Sequence, residues 1–251
     1  MISELRLTRP ALALLLALVV GPLGLPSCAE DFAGIEVPVA YSGLSPLNAP
    51  VETADAVPVQ LTGARVAIHA LELRPCAESA PSPLARAAQS LFLGAAHAHS
   101  SSSAMRIGVP VVVDALRDDA LRPGVFRPVP GTYCGLHGML AMPDDDALGA
   151  SPSAPLEGAA ELLGERLDDQ GQVVSSFRLV STMAVSFELM FDQPLVLSAQ
   201  QPYAELALVL DPATWAGAIT LPVGALDAEG AAALSRAAAS ALRVELSLAR
   251  P

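Results

Sequence analysis

Short β-branched runs, each closed within a few residues by Pro, Gly or a polar pair, recur along the chain from Ile35 to Leu210. Runs of that kind, ended by turn residues at intervals of about 8–12, build sandwiches. IEVPVAYSG reads as an edge strand broken by Pro38, because proline withholds a ladder donor. VPVQLTGARVAIHALELRPC reads as two strands turning at Thr62-Gly63, and MRIGVPVVVDAL as a buried strand. A turn at Pro130-Gly131 leads into a strand from Thr132 to Met142. Four more follow at 172–180, 183–191, 194–199 and 203–210, with Asp192-Gln193 and Gln200-Gln201-Pro202 as breaks. Between them lie a long excursion at 77–103 and a polar loop, PDDDALGASPSAP. In the excursion Leu84–Gly94 has the makings of a short apolar helix, and the end is a Ser run. Late in the chain Asp227 stands as N-cap to an Ala-rich helix over 227–243, with Leu234, Ala238, Leu242 and Leu246 at four-residue spacing. The expectation is an all-β chain: an immunoglobulin-like or prealbumin-like antiparallel β-sandwich with a C-terminal α-helix. The sandwich would span 57–251, after a linker and edge strand at 28–56. Aromatics make up only 4% of the residues, so the core must be built from Val, Leu, Ala and Met.

The first 27 residues read as a secretory signal rather than as fold. Arg6 and Arg9 precede the apolar run ALALLLALVV, which is too short to span a bilayer at about 20 residues, and small residues follow. Leu25-Pro26-Ser27-Cys28 resembles a bacterial lipobox, which implies cleavage before Cys28 and lipidation of that cysteine. The alternative here is cleavage by the general signal peptidase without a lipid. The expected location is exported and membrane-anchored, facing the periplasm or the cell surface. Setting Cys28 aside leaves Cys76 and Cys134, an even pair in an exported chain, which reads as a disulfide.

Composition excludes several chemistries. All 14 basic residues are Arg, so no phosphate-gripping P-loop lysine and no Schiff-base amine exists. A formal charge of −12 disfavours nucleic acid, whose affinity rests on clustered cations. Neither G-x-S-x-G nor H-E-x-x-H occurs. A Ser-His-Asp hydrolase is the residual reading, and the main expectation is a non-enzymatic protein with the membrane as partner through its anchor and an envelope protein as a further one.

PVQLTGARVAIHALEL, VPVVVDAL, VPGTYCGLHGMLAM and YAELALVLDPATW follow one another in a recurrent layout. That layout resembles a group of exported bacterial β-sandwich lipoproteins. More distantly it is similar to the periplasmic copper-binding proteins found beside methanobactin genes. The resemblance spans roughly 57–220 and implies an exported sandwich with a capacity for metal. Where that group carries a run of glycine, valine, proline, asparagine and histidine, this chain reads MPDDDALG, so no ligand set carries over.

The histidines are His69, His97, His99 and His137. His97-Ala98-His99 in an extended segment turns both imidazoles to one side. Alternation along the 132–142 strand puts Tyr133, Gly135, His137 and Met139 on one face, with Cys134, Leu136, Leu140 and Met142 on the other. Imidazole with thioether suits copper, and imidazole alone also suits zinc. The candidate metal ligands are therefore His97, His99, His137 and Met139, with Met105 nearby. The competing reading makes the histidines incidental and the sandwich a protein- or carbohydrate-binding module of adhesion type. Two smaller expectations are a solvated acidic turn at Asp144-Asp145-Asp146, with calcium as the alternative, and Trp215 in packing, with a sugar platform as the alternative.

Overall fold

The computed structural model describes residues 35–43, 49–76, 104–117, 120–222, 224 and 226–248. Among them it forms twelve strands in two sheets and two helices. The strands are β1 Val37–Gly43, β2 Val51–Glu52, β3 Pro58–Pro75, β4 Arg106–Ile107, β5 Val111–Asp114, β6 Leu121–Phe126, β7 Gly131–Leu140, β8 Ala160–Leu167, β9 Val173–Ser181, β10 Val185–Leu197, β11 Glu205–Leu210 and β12 Leu242–Ser247. The helices are α1 Pro212–Gly217 and α2 Ala228–Ser240. One sheet has the order β12-β11-β1-β6, and the other runs β10-β7-β3-β8-β9 with β2, β4 and β5 also on β3.

The inner faces of both sheets share one apolar core. Val37, Val39 and Tyr41 of β1 and Leu206, Leu208 and Leu210 of β11 belong to it from one sheet; Ile68, Leu71, Leu136, Leu140 and Leu162 join it from the other. Trp215 is fully buried in that core, and its indole N–H donates to the Leu234 carbonyl. It offers no platform to a sugar.

Several expectations need correcting. IEVPVAYSG is not an edge: β1 lies inside its sheet, parallel to β11 and antiparallel to β6. Pro38 falls between the Glu36–Tyr203 bridge and the β11 ladder that starts at Val39, so its missing N–H leaves a gap in the pairing there. That parallel pair also makes the sheet mixed rather than purely antiparallel. Thr62-Gly63 is not a turn. β3 runs straight through it, and the ladder to β8 shifts between Leu61 and Gly63. A second shift, against β7, falls between Ile68 and Ala70. Each shift reverses the parity of the strand, so the β3 residues in the main core are Val59 and Leu61, then Ala64, Val66 and Ile68, then Leu71 and Leu73, while Ala67 is buried in a smaller cluster with Val112, Ala147 and Leu156. The breaks at 192–193 do not end a strand either; β10 passes through as an irregularity between Met190 and Leu195. The Ala-rich helix ends at Ser240, and Leu242 and Leu246 belong to β12, which pairs with β11. Asp227 caps it as expected, accepting from the Gly230 N–H at 2.8 Å. Strands β6 and β8 were not foreseen, because Pro123-Gly124 and the isolated charges of AELLGERL mimic loop.

Candidate metal centre

Cys76 and Cys134 form a disulfide across 58 residues of sequence, with Cα atoms 4.9 Å apart. Cys134 is skipped by both ladders of β7: to β3 between Gly135 and Tyr133, and to β10 at the same place. The extra residue inverts the alternation expected at the start of the strand. Tyr133 turns inward and is buried, its hydroxyl donating to the Val129 carbonyl at 2.7 Å. Beyond the bulge the alternation holds: Leu136 and Leu140 are buried, while His137 and Met139 are half-buried on the outer face.

The outer face at that point is a short grid. The ladders place Glu188, His137, Glu72 and Arg106 side by side on β10, β7, β3 and β4. The next row is Ser186, Met139 and Ala70. The two rows enclose a recess of about 130 Å³ lined by Ala70, Glu72, Arg106, His137, Gly138, Met139 and Ser186. Gly138 is required there for packing: a Cβ at this position would collide with the ring of Phe187, its partner on β10.

The electrostatics of the grid are nearly balanced. Glu72 accepts from Arg74 at 3.3 Å and lies opposite Arg106 in the ladder. Glu188 Oε1 is 3.6 Å from His137 Nδ1, beyond hydrogen-bond length. Nδ1 is buried and has no hydrogen-bond partner among the described residues. A buried polar atom left unpaired costs about 1–3 kcal/mol. A separation of 3.6 Å suits two donors of one ion, since each bond to a transition metal measures about 2 Å.

Of the residues expected to bind metal, His137 and Met139 are brought to one recess. His97, His99 and Cys28 lie outside the described residues, as does the Leu84–Gly94 segment. Their chain nevertheless has fixed ends: it leaves from Cys76, tied to β7 three residues before His137, and rejoins two residues before Arg106, which lines the recess. Met105 is a poor candidate, because it packs against the core. His69 does not line the recess, and its Nε2 is 3.7 Å from Asp144 Oδ2. Asp144, Asp145 and Asp146 are exposed turn residues. Among the described residues no group of three or more His, Cys, Asp or Glu side chains converges. Among the described residues the sulfur donor beside His137 in the recess is Met139. Glu72, Glu188, Arg106 and Ser186 were missed from sequence, although the His-to-Glu register needed only the β3–β7–β10 pairing to become visible.

No family model matches the chain, and no curated protein matches it. Among solved structures it is similar to MbnP from Methylosinus trichosporium, at 11% identity and a TM-score of 0.33, over 72% of this chain and 76% of that one. The likeness is distant.

Proposed function

We propose that this chain is an exported bacterial envelope lipoprotein without enzymatic activity that holds a transition metal, copper by preference, at the recess of His137 and Met139. The observation that carries the reading is the unpartnered Nδ1 of His137, buried 3.6 Å from the Glu188 carboxylate with a thioether two residues along the same face. Imidazole and thioether together favour copper over the harder divalent ions. His97 and His99 are assigned as further ligands on their residue type, with Arg106, seven positions after His99, lining the recess. Those seven positions give a reach of up to about 24 Å when extended. Cys28 is assigned as the lipidated residue that anchors the protein, and Cys28→Ser would move it from the membrane fraction to the soluble one.

A competition titration against a chromophoric copper(I) chelator tests the metal assignment. Wild-type protein is expected to take one copper per chain, His137→Ala none, and the His97→Ala/His99→Ala double variant to bind more weakly. Equal uptake by wild type and His137→Ala would overturn it. Trp215, the stacking candidate read from the sequence for the carbohydrate-binding alternative, is enclosed in the core.

A further inference from the structure

One end of the sandwich carries exposed apolar side chains that the recess does not use. In the four-stranded sheet β1 starts there, with Val37 opposite Phe126 of β6 and Glu36 bridged to Tyr203. Strand β12 finishes there, with Ser247 opposite Glu205 of β11 and Leu248 one residue further on. Two short links, 127–130 and 198–204, join this end to the other sheet, where Gly131 of β7 lies opposite Leu197 of β10. Val129 and Tyr203 stand in those links, Val196 stands at the end of β10, and Leu248 follows β12. These four side chains are between 39% and 52% exposed. Single exposed apolar residues are ordinary, but several sharing one end of a fold mark a contact surface.

We infer that this end of the sandwich lies against the lipid surface that holds the anchor, with Tyr203, Leu248, Val129 and Val196 entering the headgroup region. The inference rests on the lipoprotein reading above, not on the metal. Chain length favours a membrane as the occupant. Cys28 stands seven positions before Ile35, a reach of up to about 24 Å from the point where β1 begins. The last residue of β3, Pro75, pairs with Tyr133 near the same end, and the 18 residues of β3 lead away from it over as much as about 60 Å. A lipid on Cys28 therefore holds this end, and not the far one, close to the bilayer. Charge agrees. Glu36 and Arg127 at this end balance each other, with Arg127 Nη2 3.3 Å from Glu36 Oε1. The exposed acids Asp144, Asp145 and Asp146 follow the opposite end of β7, and Asp168-Asp169 turn β8 into β9 beyond the start of β3. Anionic headgroups repel acids within about 10 Å, so the orientation with those turns facing away is favoured. Side-chain type agrees too. A tyrosine places its ring among headgroups with its hydroxyl wet, while valine and leucine enter the acyl boundary.

The test is tryptophan fluorescence of protein purified from membranes and reconstituted into phosphatidylethanolamine–phosphatidylglycerol vesicles with brominated acyl chains, which quench an indole only at contact. Trp215, enclosed in the core, supplies a constant background. The Tyr203→Trp and Leu248→Trp variants place reporters at the proposed contact. The Val174→Trp variant places one on β9, beside the turn at the far end, where Val174 is 66% exposed. The expected result is that brominated lipid removes most of the added emission at 203 and 248 and none at 174. Vesicle-bound protein with no quenching at 203 and 248, or with equal quenching at all three positions, would overturn the inference and leave the lipid anchor standing. A blue shift at 203 without quenching would also overturn it, because protein rather than lipid would then cover this end. Wild-type protein that fails to float with the vesicles would overturn both the inference and the lipoprotein reading.

Discussion

Glu161 shows how far a single residue can depart from its appearance in sequence. In AELLGERL it reads as a surface acid, yet its side chain is 1% exposed. Register explains the cost and its compensation: β3 places Arg65 directly opposite, and Arg178 of β9 reaches it from the next strand at 2.7 Å. Arg178 also holds Glu157 at 2.8 Å, and the two carboxylates keep its guanidinium pKa above the ordinary value, Glu161 being the larger cause. Removing the buried member strands its partners. Glu161→Ala is expected to lower stability by about 3 kcal/mol in urea unfolding. Arg178→Ala, half in solvent, should lose less than about 1 kcal/mol. Equal losses would mean that the network is not organised around Glu161. Tyr41 makes a second prediction at this scale. Burial pushes its phenol, and that of Tyr133, above the ordinary 10.0. A raised folded pKa gives stability that is complete below about pH 10 and declines above it, as the unfolded chain ionises first. Thermal melts of Tyr41→Phe should therefore fall less steeply above pH 10 than those of wild type. Parallel slopes would contradict that. His137 and Met139 were legible as same-face neighbours from alternation alone. The carboxylate beside them was not, because Glu188 lies on a strand distant in sequence.

At the scale of elements, what the sequence conceals is irregularity. Strand type was readable from β-branched runs, but Thr62-Gly63 is a bulge rather than a turn, Ile68-His69-Ala70 and Cys134 are bulges within strands, and each changes which residues face the core. Apolar alternation that shifts phase twice within β3 reads as two strands unless its partners are known. The Leu242 and Leu246 stripe misled for the opposite reason: four-residue spacing fits a helix, yet two-residue steps fit β12 equally well, and pairing with β11 decides. The Cys134 bulge is also where the disulfide grips, fixing the end of β3 to β7 just before the recess. In the chain-entropy model a loop of this length contributes about 4 kcal/mol. Cys76→Ser with Cys134→Ser is expected to lower the urea midpoint accordingly and to weaken copper uptake. A variant destabilised to that extent but binding copper with native affinity would show that the recess is organised by the sheet alone.

For the whole molecule, two sheets around a Val, Leu and Ala core supply a rigid outer face, and four strands distant in sequence contribute one side chain each to the row through His137. That convergence is a property of topology. A histidine, a methionine and several acids were visible in sequence, but their assembly depended on β10 lying beside β7 and β4 beside β3. The pairing of Cys76 with Cys134, by contrast, could be read from the cysteine count. The central claim is that His137 organises a copper site on this face. Metal analysis of protein dialysed after copper(I) loading tests it most directly, wild type beside His137→Ala. One copper retained per wild-type chain and none in the variant is the predicted result. No copper in either, or the same amount in both, would contradict it.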